Sequence, residues 1–256
     1  ELALQAAPDA RVAVRVHPVD HPVFGREVEV VAGKAAARLT HIMVPKVESL
    51  RDVEIAVEAL DAAGAAQLPL HVLVESPAAV HHAFGIAAHP RVQSLSFGLM
   101  DFVSAHGGAI PSHGMGIEGQ FTHPLVVRAK LEIASACHAH GKVPSHCVVT
   151  EFKDKDAQGK AARRAANEFG FTRMWSIHPD QIRPILEAFA PTAHEIETAA
   201  QLLQAAASAD WAPISFGGKL EDRASYRYYW QVLERAHRTG RQLPKEVQGW
   251  FAAPRH

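Results

Sequence analysis

Residues 70–77 read LHVLVESP, with four aliphatic positions among the first five, then an acid, then Ser-Pro. A short apolar run bounded by such punctuation reads as a strand buried on both faces. Ser76 followed by Pro77 reads as an N-cap and first helical residue: a serine oxygen accepts an orphan N–H there, and proline's missing N–H costs nothing. The stretch predicts strand, turn and helix in direct succession, with the Glu75 carboxylate at the strand's carboxyl end.

The same unit recurs on both sides. Further candidate strands are residues 12–16 (VAVRV), 41–46 (HIMVPK), 92–97 (VQSLSF), 143–149 (VPSHCVV) and 173–177 (RMWSI). Helical patterns lie between most of them: 49–63, where Leu50, Val53, Val57 and Leu60 recur at spacings of three and four, 77 towards 89, and 124–140 ending at Gly141. Strict alternation predicts a parallel sheet covered by helices. Residues 107–121 (GGAIPSHGMGIEGQF) are Gly-rich and polar and read as a loop beside a strand end. Beyond Pro191 the pattern changes to a helix over 193–208, a turn-like Phe216-Gly217-Gly218-Lys219 and a helix from about 225 to 238, with no further strand predicted. The expected organisation is a (β/α) barrel domain over 1–190 and a helical extension and lid over 191–256.

The 256 residues are 48% hydrophobic and 21% charged, which excludes disorder and fibrous repeats and suits one (β/α)₈ barrel of roughly 250 residues. With 26 Lys+Arg against 27 Asp+Glu there is no electrostatic footprint for nucleic acid or a membrane surface. No apolar stretch approaches the ~20 residues that span a bilayer, and the start ELALQAAPDA has no signal-peptide pattern. The expected location is the cytoplasm. Cys137 and Cys147, the two cysteines, read as buried small hydrophobes.

In α/β folds reacting groups gather at the carboxyl ends of strands. Arg15, Lys46, Glu48, Glu75, Asp101 and His178 fall at or near such ends. Glu75 and Asp101 are one strand-helix unit apart, and two carboxylates with few anionic neighbours suit Mg²⁺, which takes oxygen ligands and keeps waters for substrate to displace. Each residue also has a structural reading. Glu75 suits a solvated first-turn acid, Asp101 a turn residue or N-cap, Arg15 a partner of a structural acid, and Lys46 with Glu48 a surface pair. The 17 histidines show no HExxH or other zinc spacing.

Taken in order, VRVHP, MVPKVES, LVESP, SFGLMDF, VTEFKDKDAQGKAARRAANEFGF, WSIHPDQI and GGKLEDR resemble the citrate lyase β-subunit-like and malyl-CoA lyase family of the HpcH/HpaI aldolase superfamily. The resemblance runs from about Val12 to Arg238. It implies a TIM-type barrel and a carbon–carbon lyase acting on a hydroxy-acyl-CoA thioester. Glu75 and Asp101 would be the Mg²⁺ ligands, with Mn²⁺ as an alternative ion. Arg15 would hold a carbonyl or enolate oxygen, Lys46 would lie near the CoA phosphates, and Asp222 would be the acid or base of a C-terminal lid. For Asp222, capping of the following helix is the competing reading. The implied partners are an acyl-CoA and a 2-oxo acid, and the implied assembly is a homo-oligomer, a trimer or its multiple, with a lid that works on a neighbouring subunit.

The chain departs from the family at four points, one of them the loop 104–119 with His106, Gly107 and Gly108, which matches no assigned loop of the family. His17 stands where the family commonly has Asn, Ala224 replaces the usual Pro, and the family's first two strands, the second with an acidic motif, have no counterpart before Val12. The chain is therefore expected either to be N-terminally incomplete or to close its barrel with another segment. Two alternatives stand beside the lyase: a class II aldolase acting on a free 2-oxo acid, and a silent barrel that binds acyl-CoA.

Overall fold

The computed structural model describes residues 2–7, 9–151 and 154–251; Phe152 and Lys153 of the VTEFKDKD motif lie outside them. Among the described residues, six strands form one sheet: β1 (Val12–Arg15), β2 (Leu39–Val44), β3 (Leu70–Val74), β4 (Val92–Phe97), β5 (Val143–His146) and β6 (Arg173–Met174). They lie in chain order and each pairs in parallel with the next. All six predicted strands are present; every one but β4 ends earlier than predicted, β2 by two residues and β5 and β6 by three, and β2 also begins two residues earlier. After α1 (Leu2–Gln5), the connections carry α2 (Phe24–Ala35), α3 (Leu50–Ala62), the pair α4 (Pro77–His81) and α5 (Ala83–Ala88), α6 (Leu99–Ser104) with α7 (Pro124–Ala139), and α8 (Lys155–Phe169).

The helix predicted from 77 towards 89 is broken at His82, whose ring hydrogen-bonds the Glu48 carbonyl oxygen at 2.9 Å. Its start follows the sequence reading, since the Ser76 hydroxyl accepts the Ala79 N–H at 3.0 Å. Ser49 likewise opens α3 with a capping box to Asp52.

Among the described residues the six predicted strands form an α/β half-barrel, not the closed eight-stranded barrel that the resemblance implies for the family. Side chains from all six strands, among them Ala13, His41, His71, Gln93, Ser145 and Arg173, line one open cavity of about 790 Å³. A sheet whose first and last strands border the same space is curled, as the strand-to-strand twist requires. Its core lies between sheet and helices. All five residues of β3 are buried, as are Ile42, Val44 and Leu95 beside it, and α3 and α7 cover them with Val53, Leu60, Ala129 and Ile133. Cys137 and Cys147 are both buried and unpaired.

On the concave side, the rings of His41 and His71 stack with centroids 3.5 Å apart. Burial pushes both imidazoles down to about 4, helped by the nearby positive charge of Arg173. A base with a depressed pKa in the fold takes up its proton more readily when unfolded, so stability is intact above pH ~6.5 and is lost as pH falls towards ~4. Denaturant unfolding at pH 7, 6 and 5 should show this fall, worth on the order of 2–3 kcal/mol for His71. It should be smaller in a His71→Gln protein, and equal slopes in the two proteins would refute the assignment.

The chain divides into two compact units, Glu1–Ile182 and Arg183–His256. In the second, α10 (Ala193–Ser208) packs on α11 (Arg223–Arg238) through Ala199, Leu202, Leu203, Val232, Leu233 and Ala236, with Val247 of α12 (Lys245–Gln248) closing the cluster. The unit begins in α9 (Ile182–Phe189). The turn predicted at 216–219 is more than a turn. β7 (Ile214–Phe216) and β8 (Lys219–Glu221) pair antiparallel around Gly217 and Gly218, at φ +57° and +78°, correcting the expectation of a strandless tail. A two-residue hairpin turn of the type that matches strand twist requires positive φ at both positions, which glycine adopts without steric cost.

Candidate active site

Three of the five predicted site residues line one cavity of about 210 Å³ at the carboxyl end of the sheet: Arg15 from β1, Glu75 after β3 and Asp101 in α6 after β4. Leu73, Phe97, Met115, Cys147 and Trp175 supply apolar wall. Strand order explains the convergence, because β3 and β4 are neighbours in register, with Val74 opposite Phe97. The residues that follow them therefore emerge on the same rim.

Glu75 is 9% exposed, which removes the reading of a solvated first-turn acid. Its Oε2 accepts the Lys46 backbone N–H at 2.9 Å. Lys46 makes that contact from a left-handed conformation, φ +51°, a conformation uncommon for a residue with a Cβ and a form of local strain that clusters at functional sites. Gly98 lies under the same side chain. A Cβ built there would collide with Glu75 Cγ and Oε1, so any larger residue at 98 would force the carboxylate out of its place.

Burial pushes the Glu75 carboxyl up, and Asp101 reinforces the shift, while the Lys46 amide, the Lys46 ammonium and Arg15 oppose it. A buried carboxylate held beside a second one is costly without a compensating cation. Asp101 sits at the third position of α6, with Gly98 rather than Asp101 as the N-cap, and its side chain is 55% exposed. The Lys46 ammonium stands 3.8 Å from Asp101 Oδ1, so Lys46 touches both acids, one through its backbone and one through its side chain. Arg15 is exposed and has no ion pair among the described residues, against its reading as the partner of a structural acid.

Glu48 is not a surface partner of Lys46. Its carboxylate accepts the Ser76 hydroxyl hydrogen bond, which ties the turn after β2 to the first turn of α4. Asp222 belongs to the second unit and caps α11, accepting the Ala224 N–H at 2.8 Å, with Ser225 Oγ accepting the Asp222 N–H. His17, at the position where Asn was expected, places its backbone and ring nitrogens on the Glu27 carboxylate at 2.9 and 2.7 Å.

The model of the HpcH/HpaI aldolase/citrate lyase family matches residues 2–179. The chain belongs to this family. Among characterised members, an L-malyl-CoA/beta-methylmalyl-CoA lyase of Rhodobacter capsulatus is 30% identical over 242 residues, covering 88% of this chain and 76% of that protein. A citrate lyase of Burkholderia xenovorans LB400 superposes with a TM-score of 0.87 at 48% identity, covering 98% of this chain and 81% of that one. The protein CitE from Mycobacterium tuberculosis, solved with magnesium and pyruvate, matches at a TM-score of 0.62 and 26% identity over 75% of this chain and 73% of that one.

Within this family fold, the walls of the cavity escaped the sequence reading. Trp175 donates its indole N–H to Ser96 Oγ at 3.0 Å, which fixes the ring as a wall after β6. Its position near a strand's carboxyl end was the available signal, but an aromatic residue there is also ordinary core. Gly98 and the backbone of Lys46 carried no signal of their own, because a tertiary close approach and a left-handed turn are not encoded in spacing. No described helix is long and apolar enough to cross a membrane.

Proposed function

We propose that the protein is a Mg²⁺-dependent carbon–carbon lyase that cleaves, or in reverse forms, a hydroxy-acyl-CoA thioester. The observation that supports this reading is the meeting of Glu75, Asp101 and Arg15 around one small, largely apolar cavity. Its donor set suits Mg²⁺: two carboxylates, one of them buried and short of compensating charge, and oxygen ligands only. Among the described residues no group of three or more His, Cys, Asp and Glu side chains could hold a metal, so Glu75 and Asp101 would hold the ion with water and substrate oxygens completing its shell. Bound there, Mg²⁺ supplies Lewis-acid stabilisation of charge on the oxo-acid oxygens.

Cleavage removes the hydroxyl proton, breaks the adjacent carbon–carbon bond and leaves its electron pair as the thioester enolate. That enolate then takes a proton at the α-carbon, giving an acyl-CoA and a 2-oxo acid. Arg15, with a planar fork of donors and no ion pair among the described residues, would hold the developing negative oxygen. The Leu73, Phe97 and Trp175 walls give one side of the cavity an apolar lining, beside which such interactions are less screened than in bulk water. Lys46, exposed at the cavity rim, would meet the CoA phosphates.

The family resemblance assigns Asp222 as acid or base on a lid serving a neighbouring subunit of a cytoplasmic homo-oligomer. Asp222→Asn tests this cleanly, because asparagine caps as well as aspartate. The expected result is unchanged thermal stability with turnover lowered about 10²-fold or more; unchanged turnover would leave capping as the residue's only role. The decisive experiment for the whole reading is a screen of malyl-, citramalyl- and citryl-CoA, with the corresponding free acids, for Mg²⁺-dependent release of a 2-oxo acid. Release from a thioester supports the lyase. Release from free acids alone would make the protein an aldolase without CoA, and release from neither would leave a binding barrel.

A further inference from the structure

Behind the cavity wall lies a charged group that the reaction above does not use. Lys130 of α7 is wholly buried, at 0% exposure. Its ammonium sits 3.7 Å from the Phe121 ring centroid and donates to Gln120 Oε1 at 3.0 Å. Among the described residues no carboxylate pairs with it, whereas its cationic neighbour Arg164 pairs with both Glu118 and Glu168. Gln120, itself 1% exposed, accepts a second hydrogen bond on the same oxygen, from the Cys147 thiol at 3.5 Å. Cys147 lines the cavity that holds Glu75 and Asp101. An unpaired cation therefore stands two hydrogen bonds from the wall of the site.

Burying an ammonium without a counter-charge is expensive, and a ring face with one amide oxygen recovers only part of that cost. In a low-dielectric interior the field of such a charge is poorly screened and acts on whatever negative charge appears nearby. We propose that Lys130 is a positioning residue of the site. From behind Gln120 and Cys147 its positive charge, acting through space, biases the cavity towards anions and stabilises the enolate formed there. The proposal rests on the lyase reading for its chemical consequence but not for the electrostatic coupling itself. The groups that face Lys130 are His146 and Cys147 at the end of β5 and Arg164 of α8. Burial keeps His146 neutral and the Cys147 thiol protonated, so neither cancels the Lys130 charge. Lys130 itself is pushed down to about 8 by burial, which leaves it largely charged at neutral pH.

Two measurements test this. A carboxylate is planted at the cavity wall in a Cys147→Asp protein, and a neutral group of the same size in a Cys147→Asn protein. The Lys130 side chain is then titrated in both by NMR of ¹³C-labelled lysine. Coupling is reciprocal, so Cys147→Asp should raise the Lys130 midpoint by about one pH unit relative to Cys147→Asn; equal midpoints in the two folded proteins would overturn the proposal. In the second, Lys130→Met is expected to lower kcat at least tenfold with KM within about threefold. It should also abolish the alkaline fall of activity that follows Lys130 deprotonation in the unmodified protein. A folded Lys130→Met enzyme with unchanged kcat and an unchanged alkaline limb would overturn the catalytic consequence. If no thioester is cleaved by the unmodified protein, the lyase reading fails while the Lys130 titration in the two Cys147 variants still decides the coupling.

Discussion

Glu75→Gln should leave a folded protein that no longer binds Mg²⁺ and turns over on the order of 10³-fold more slowly. Glutamine is nearly isosteric and its amide oxygen still accepts the Lys46 N–H, so the packing over Gly98 survives. The charge is lost, and with it one of the two anionic oxygen donors. The expected effect on stability has the opposite sign. The Glu75 carboxyl is pushed up by burial and by Asp101, so neutralising it without metal relieves an unfavourable interaction. Thermal unfolding in EDTA should therefore show the Glu75→Gln protein at least as stable as the parent, while added Mg²⁺ raises the melting temperature of the parent alone. Titration calorimetry giving parental Mg²⁺ affinity would remove Glu75 from the metal site. A loss of stability alongside activity would mean that its role is structural.

Arg15→Met is expected to lower kcat by about 10²- to 10³-fold, the usual cost of removing one oxyanion donor. Stability should change little, because Arg15 is exposed and has no ion pair among the described residues to break. Arg15→Lys separates charge from shape. A lysine restores the positive charge but not the planar fork, so recovery should be partial, no more than about a tenth of the parental rate. Full activity in Arg15→Met would exclude the residue from contact with the reacting atoms. A rise in KM with unchanged kcat would place it in substrate binding instead.

Much of this was legible before any coordinates. The strand at residues 70–74 announces itself because both faces of a central parallel strand are buried, leaving a continuous aliphatic run. Ser49 and Ser76 announce the helices they cap, because capping is a local hydrogen-bonding event between residues three apart. The placement of Arg15, Glu75 and Asp101 near strand ends followed from the same logic, although the strands stop up to three residues earlier than predicted. The break at His82 was not legible, since the carbonyl its ring hydrogen-bonds belongs to Glu48, 34 residues away. The hairpin at Gly217-Gly218 was half legible: the turn residues were plain, but strands of three residues leave no period to read.

The sequence by itself determined the alternation of six strands with helices and which carboxylates and arginine follow the strands, because periodicity, capping and strand-end polarity are local properties, and the order of its motifs carried the resemblance to the family. Tertiary structure alone decided what those groups feel. It curled six strands so that three of the residues share one cavity, sank Glu75 onto Gly98, and turned Lys46 into a left-handed clasp touching both acids. It also buried the Lys130 ammonium behind the wall with no carboxylate among the described residues to pair it. Desolvation and charge–charge interaction depend on distances between residues far apart in the chain, and those distances exist only once the sheet has curled.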